Sequence, residues 1–149
     1  MTIVGSDLAF WLGSKFARNM VVKRVLATPP EAVSAANKGE QIRVGRMLNL
    51  IPPISNRFKG ILNDSRISTS PARFDLERIA APTLVLSVRD DLYGTFASAQ
   101  YTAKRIRGAK FIGYDAGGHM WVGHHDQVIT EIEAFLKSSS STMHRRPET

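Results

Sequence analysis

Two short polar loops hold the side chains of this sequence best suited to chemistry: Arg89-Asp90-Asp91 and Asp115-Ala116-Gly117-Gly118-His119. An imidazole exchanges protons near neutral pH, and a carboxylate beside it fixes the ring tautomer and stabilises the imidazolium. Asp91 and His119 lie 28 positions apart, room for one helix and one strand. Together they would form the base-and-orienter half of a Ser-His-Asp relay. Plainer readings stand beside this one: Asp90-Asp91 as a solvated turn, and His119 as a loop residue that only packs. A zinc site built from His119, His124 and His125 with Asp115 or Asp126 is disfavoured, because His124 and His125 point apart on any regular element and no close-spaced pair shares a helix face. We expect no metal and no cofactor. Trp11, Trp121, Tyr93 and Tyr101 read as packing or pocket wall, since they are not interleaved with the basic residues as a base-stacking platform requires.

The elements that must position these loops follow from periodicity. Thr83-Leu84-Val85-Leu86-Ser87-Val88 is a nearly continuous, β-branched run, the pattern of a strand buried on both faces in a parallel sheet. Phe96 to about Ile106 reads as a helix ending in basic residues and Gly108, and Lys110 to Tyr114 (KFIGY) as a second strand. A last helix is expected from about Asp126 to Lys137, with Val128, Ile132, Phe135 and Leu136 inward. Each candidate loop then follows the carboxyl end of a strand, where open parallel sheets bind ligands.

Residues 7 to about 66 carry helical stripes instead: Leu8, Leu12, Phe16 and Met20; Val44, Met47, Leu48 and Ile51; Ile54, Phe58, Ile61 and Leu62. Thr28-Pro29-Pro30-Glu31 reads as a turn with prolines opening a new helix, and Pro52-Pro53 as a separator. The organisation expected is a helical cap-like segment over 1–70, an α/β core segment over 71–138 and a disordered tail over 139–149. Two strands make too small a sheet, and nothing in residues 1–80 reads as a third, so part of a fold is expected to be missing.

Composition narrows the classes. With 43% hydrophobic and 22% charged residues the chain of 149 matches soluble globular averages, which excludes global disorder and low complexity. Cysteine is absent, so disulfides, thiolate metal sites and cysteine nucleophiles are excluded and the cytoplasm is the default location. No signal or spanning segment is visible, and no membrane association is expected. The net charge of +7 belongs to the first half, where residues 1–80 hold 12 basic and 6 acidic side chains. These cations are scattered singly among apolar residues, as on the wet faces of amphipathic helices, so no nucleic-acid partner is expected.

From Ile79 to Leu136 the order of I-A-A-P-T-L-V-L, R-D-D, helix, strand, G-G-H and a closing helix ending A-F-L resembles the C-terminal end of the α/β-hydrolase family. The resemblance implies a partial α/β-hydrolase-like parallel sheet preceded by a helical cap, with Asp91 as acid and His119 as base. It implies hydrolysis of a hydrophobic small molecule. Val88 stands where glycine is usual in the acid loop, and Asp90 is a rival for the acid role. No G-x-S-x-G nucleophile turn occurs, since Gly5-Ser6 and Gly13-Ser14 lack the second glycine. Little or no hydrolysis is therefore expected of this chain alone. The alternative is a non-catalytic partner-binding module, or degenerate hydrolase fragment, that binds or self-associates through its unpaired sheet edge.

Overall fold

A computed structural model of the chain describes residues 6–69 and 74–143. Five helices come first: α1 (Asp7–Phe16), α2 (Arg18–Val25), α3 (Pro30–Ala35), α4 (Lys38–Leu50) and α5 (Ile54–Ser68). A single 3-10 turn (Leu76–Arg78) leads to β1 (Leu84–Val88), α6 (Phe96–Arg105), β2 (Lys110–Tyr114) and α7 (His125–Met143). The fold is mixed α/β and mostly helical. No helix among the described residues is long and apolar enough to cross a membrane.

Local chemistry explains most boundaries. Ser6 Oγ accepts the Ala9 N–H at the start of α1, and Asn37 Oδ1 accepts the Glu40 N–H at the start of α4. Pro30 opens α3 at a position that needs no N–H donor. The periodic stripe from Leu8 to Met20 predicts one helix, but the chain breaks at Ala17 (φ −134°, ψ 41°) and α2 folds back along α1. Gly13 eases this approach, since a Cβ there would lie a tight 3.2 Å from Val21 Cγ2. Val21 and Val22 are thereby buried, while Leu8, Phe16 and Met20 stay 65%, 83% and 58% exposed. No proline or glycine at the break announces it.

The main core joins α2 and α4 to the loop before α7: Val21, Val22, Leu26, Val44 and Leu48 close on Val122, with Phe10, Val25, Val33 and Met120 around them. The helical segment expected over 1–70 thus shares its core with the second half of the chain. In the other layer β1 and β2 pair in parallel, from Leu84 opposite Lys110 to Val88 opposite Tyr114, with α6 as the crossover. Both strands match their sequence patterns. Burial on both faces does not extend along β1: Ser87 and Val88 are buried, whereas Leu84, Val85 and Leu86 are only partly so. A two-stranded sheet leaves one edge of each strand without a neighbour among the described residues. Helix α7 runs to Met143, into the stretch expected to be disordered; residues 1–5, 70–73 and 144–149 lie outside the described residues.

The two layers meet where glycine is required. Gly118 has φ +60°, and a Cβ there would sit 2.7 Å from Thr28 Cα. Gly118→Ala is expected to cost at least about 2 kcal/mol in urea unfolding, from left-handed strain and a backbone clash together. Gly108→Ala, at φ +77° with nothing within 4 Å, should carry the strain alone, about 1 kcal/mol. Equal losses in the two variants would show that the close approach to Thr28 is not a constraint.

Candidate functional site

The parallel register sets the ends of β1 and β2 side by side, Val88 opposite Tyr114, so the two following loops emerge as neighbours. Arg89 N–H continues the pairing to the Tyr114 carbonyl at 2.8 Å. Beyond that point the adjacent carboxylates diverge. Asp90 turns to the second loop's backbone, accepting the Gly117 N–H at 3.2 Å and the Gly118 N–H at 2.7 Å. Asp91 turns to the ring: its Oδ2 lies 3.0 Å from His119 Nδ1. Asp90, the rival for the acid role, is thus occupied in shaping the loop that carries His119.

Asp91 is held from several sides. Its Oδ1 accepts the Tyr93 N–H at 2.9 Å, and its Oδ2 also accepts the Thr95 hydroxyl at 2.7 Å. Burial pushes the carboxyl up, but the hydrogen bonds from His119, Thr95 and the Tyr93 amide outweigh it and hold Asp91 below the ordinary carboxylate range. An ionised carboxylate only accepts, so His119 must carry its proton on Nδ1 to make the bond. The Nε2 lone pair is then left for other work, with no protein partner recorded for it among the described residues. The Asp91 side chain is 5% exposed and that of His119 48%, an arrangement with the carboxylate inside and the imidazole at the surface. Tyr93 packs its ring edge-on against the imidazole at 4.9 Å and donates its hydroxyl to the Val25 carbonyl. Burial, then the charge on Asp91, push the Tyr93 hydroxyl up, so it remains a donor.

The helical segment supplies the other half of the frame. Ala27, at φ 43°, offers one carbonyl to two loops, accepting the Leu92 N–H at 3.0 Å and the His119 N–H at 3.2 Å. Thr28 Oγ1 accepts the Met120 N–H at 3.1 Å and donates to the Leu26 carbonyl. Farther along, Glu40 accepts the Gly123 N–H, and Arg43, paired with Glu40 at 2.8 Å, donates to the Met120 carbonyl. Sequence reasoning missed Ala27, Thr28, Thr95, Glu40 and Arg43. Only Asn37-x-x-Glu40, a helix-start pattern, carried a local signal for any of them.

The remaining candidates do not converge. Asp115 makes an exposed pair with Arg89 at 3.2 Å, and His124 Nδ1 meets Gln127 Oε1 while its ring lies on Tyr114. No three His, Asp or Glu side chains gather as a metal set among the described residues. Trp121 packs edge-on against Tyr114, and Tyr101 lies under Arg105. Comparison with protein-family models, curated proteins and solved structures gives no match to this chain.

Two measurements check this geometry. Imidazole 15N shifts above neutral pH are expected to show His119 protonated at Nδ1, with the preference lost in Asp91→Asn; an Nε2–H tautomer in the parent chain would contradict the pairing. The second concerns Glu40, whose carboxyl the Arg43 guanidinium holds at about 2 against an ordinary 4.5, over a smaller upward push from burial. This lowered value stabilises the fold above the unfolded value, and the contribution disappears as pH falls from 4.5 through about 2. The urea midpoint of the parent should exceed that of Glu40→Gln at neutral pH, with the gap closing across that window.

Proposed function

We propose that the Asp91–His119 pair is the acid–base half of a Ser-His-Asp type hydrolase site acting on a hydrophobic small molecule, its nucleophile supplied by a segment outside these 149 residues. The observation that carries this reading is the 3.0 Å contact from His119 Nδ1 to a buried, multiply bonded Asp91, at adjacent parallel strand ends and with the ring half exposed. A general base needs this combination: a fixed tautomer, a counter-charge for the imidazolium, and one nitrogen open to the reacting group. His119 Nε2 would take the proton from the nucleophile's hydroxyl as the hydroxyl oxygen attacks the substrate, then return it to the leaving group. Asp91 would stay ionised throughout and hold the ring. The α/β-hydrolase resemblance of residues 79–137 supports the assignment of roles. The exposed apolar residues on α1, Leu8, Leu12 and Phe16, support a substrate with an apolar body.

A second reading, a module that binds a partner chain through its sheet, is favoured by the open edges of β1 and β2. Activity distinguishes the two. The 149-residue chain is expected to turn over a short-chain nitrophenyl ester no faster than its His119→Ala variant. In a chain extended at its N-terminus by a segment bearing a G-x-S-x-G turn, hydrolysis should appear, and His119→Ala should lower kcat by about a thousandfold. Activity of the extended chain that is indifferent to His119 and Asp91 would overturn the proposal. Ester turnover by the 149-residue chain that His119→Ala abolishes would overturn the placement of the nucleophile elsewhere.

A further inference from the structure

Four of the basic side chains of the first half, isolated from one another in sequence, come together around one cleft. It is an open hollow of about 860 Å³ between α1, α2, α3 and α4, within the range of about 300–1,000 Å³ of small-molecule clefts. Lys15 and Arg18 line it from the α1–α2 side, Lys38 and Arg46 from α4, and no carboxylate is among its lining residues. None of the four cations forms an ion pair among the described residues, so no carboxylate of the chain offsets their charge at the cleft. Like charges set around one hollow repel, and an anion placed between them relieves that repulsion.

Three further features give the cleft a character. Trp11, 53% exposed, and Ile42, 48% exposed, present apolar surface beside the cations. Gly45 lies inside α4, where glycine weakens a helix, and a Cβ there would sit 2.8 Å from Arg18 Nη2, so the missing side chain seats the guanidinium against the helix. Ser14 Oγ, on the same wall, is the one buried side-chain oxygen or nitrogen without a hydrogen-bond partner among the described residues. A cation seated in a helical notch, an exposed indole and an orphaned hydroxyl around one hollow suit a ligand that is both flat and anionic. Neither Asp91 nor His119 lines this cleft.

We propose that the cleft binds a small aromatic carboxylate, with its ring against Trp11 and its charge held by Arg18 and the cations around it. This site is separate from the Asp91–His119 pair and does not rest on the hydrolase reading. Calorimetric titration with naphthalene-2-carboxylate is expected to show saturable binding that weakens several-fold between about 20 and about 300 mM salt. The neutral analogue 2-naphthalenemethanol should bind about tenfold more weakly or worse. Arg18→Gln with Arg46→Gln, and independently Lys15→Gln with Lys38→Gln, should each weaken the carboxylate by about tenfold. Lys104→Gln with Arg107→Gln, which changes net charge equally but lies outside the cleft, should leave it unchanged. Gly45→Ala improves the helix while displacing the Arg18 guanidinium, so it should retain the fold by circular dichroism and lose affinity. The proposal is overturned by absence of carboxylate binding, by equal binding of the alcohol, or by an equal loss in the Lys104/Arg107 control. A single-stranded oligonucleotide that binds more tightly than the carboxylate and is lost in Arg18→Gln/Arg46→Gln would also overturn it, in favour of polymeric phosphate.

Discussion

The carbonyl of Ala27 is the joint on which this structure turns. Ala27 is 1% exposed, at a positive φ that alanine rarely adopts, and its carbonyl accepts one N–H from each of the two loops that follow the strands. An unpaired buried carbonyl would cost about 1–3 kcal/mol, so the strain of the left-handed turn is offset when both loops dock on it. Thr28 beside it, fully buried, takes the Met120 N–H, and Gly118 approaches its Cα so closely that no side chain fits. The distance between Asp91 and His119 is therefore fixed from outside the sheet. One carbonyl holds Leu92, the neighbour of the acid, and His119 itself.

Two adjacent aspartates share the remaining labour because successive side chains in a turn point in different directions. Asp90 collects two glycine amides and so gives the second loop its shape; Asp91 takes the ring. A single carboxylate cannot do both, since its oxygens are already committed: Asp91 accepts from Tyr93, Thr95 and His119 together. The turn that presents the two aspartates needs no glycine at Val88. Val88 ends β1 buried, its carbonyl accepts the Asp91 N–H at 3.3 Å, and no residue from Val88 to Asp91 has a positive φ; the left-handed residue, Gly94, closes the next turn on the Asp91 carbonyl.

Legibility in the sequence followed the range of the interaction. Both strands, the crossover helix and the opposed Asp and His loops could be read, because β-branched runs and glycine punctuation are local signals. The joint at Ala27 could not, since nothing in Leu26-Ala27-Thr28 marks a residue whose partners lie more than sixty positions away. The break at Ala17 was hidden for a related reason: Leu8, Leu12, Phe16 and Met20 keep helical spacing whether or not the helix is continuous. Periodicity reports a face and not what covers it, and here most of that face is open. The basic cleft was invisible for the same cause, as its cations come from three helices and read singly as solvated surface.

Exposure decides what the Asp91–His119 pair can do as it stands. Oriented dipoles and charges act strongly where water is excluded, and a ring that is 48% exposed retains much of its hydration. Drying the imidazole requires an element beside it, and the open edges of the sheet are places where such an element could add. A strand added to either open edge in the same direction would end level with Val88 and Tyr114, so its following loop would emerge beside the two already present. Addition of a parallel strand would therefore cover the sheet edge and place the loop that follows it at the end of the sheet where His119 lies.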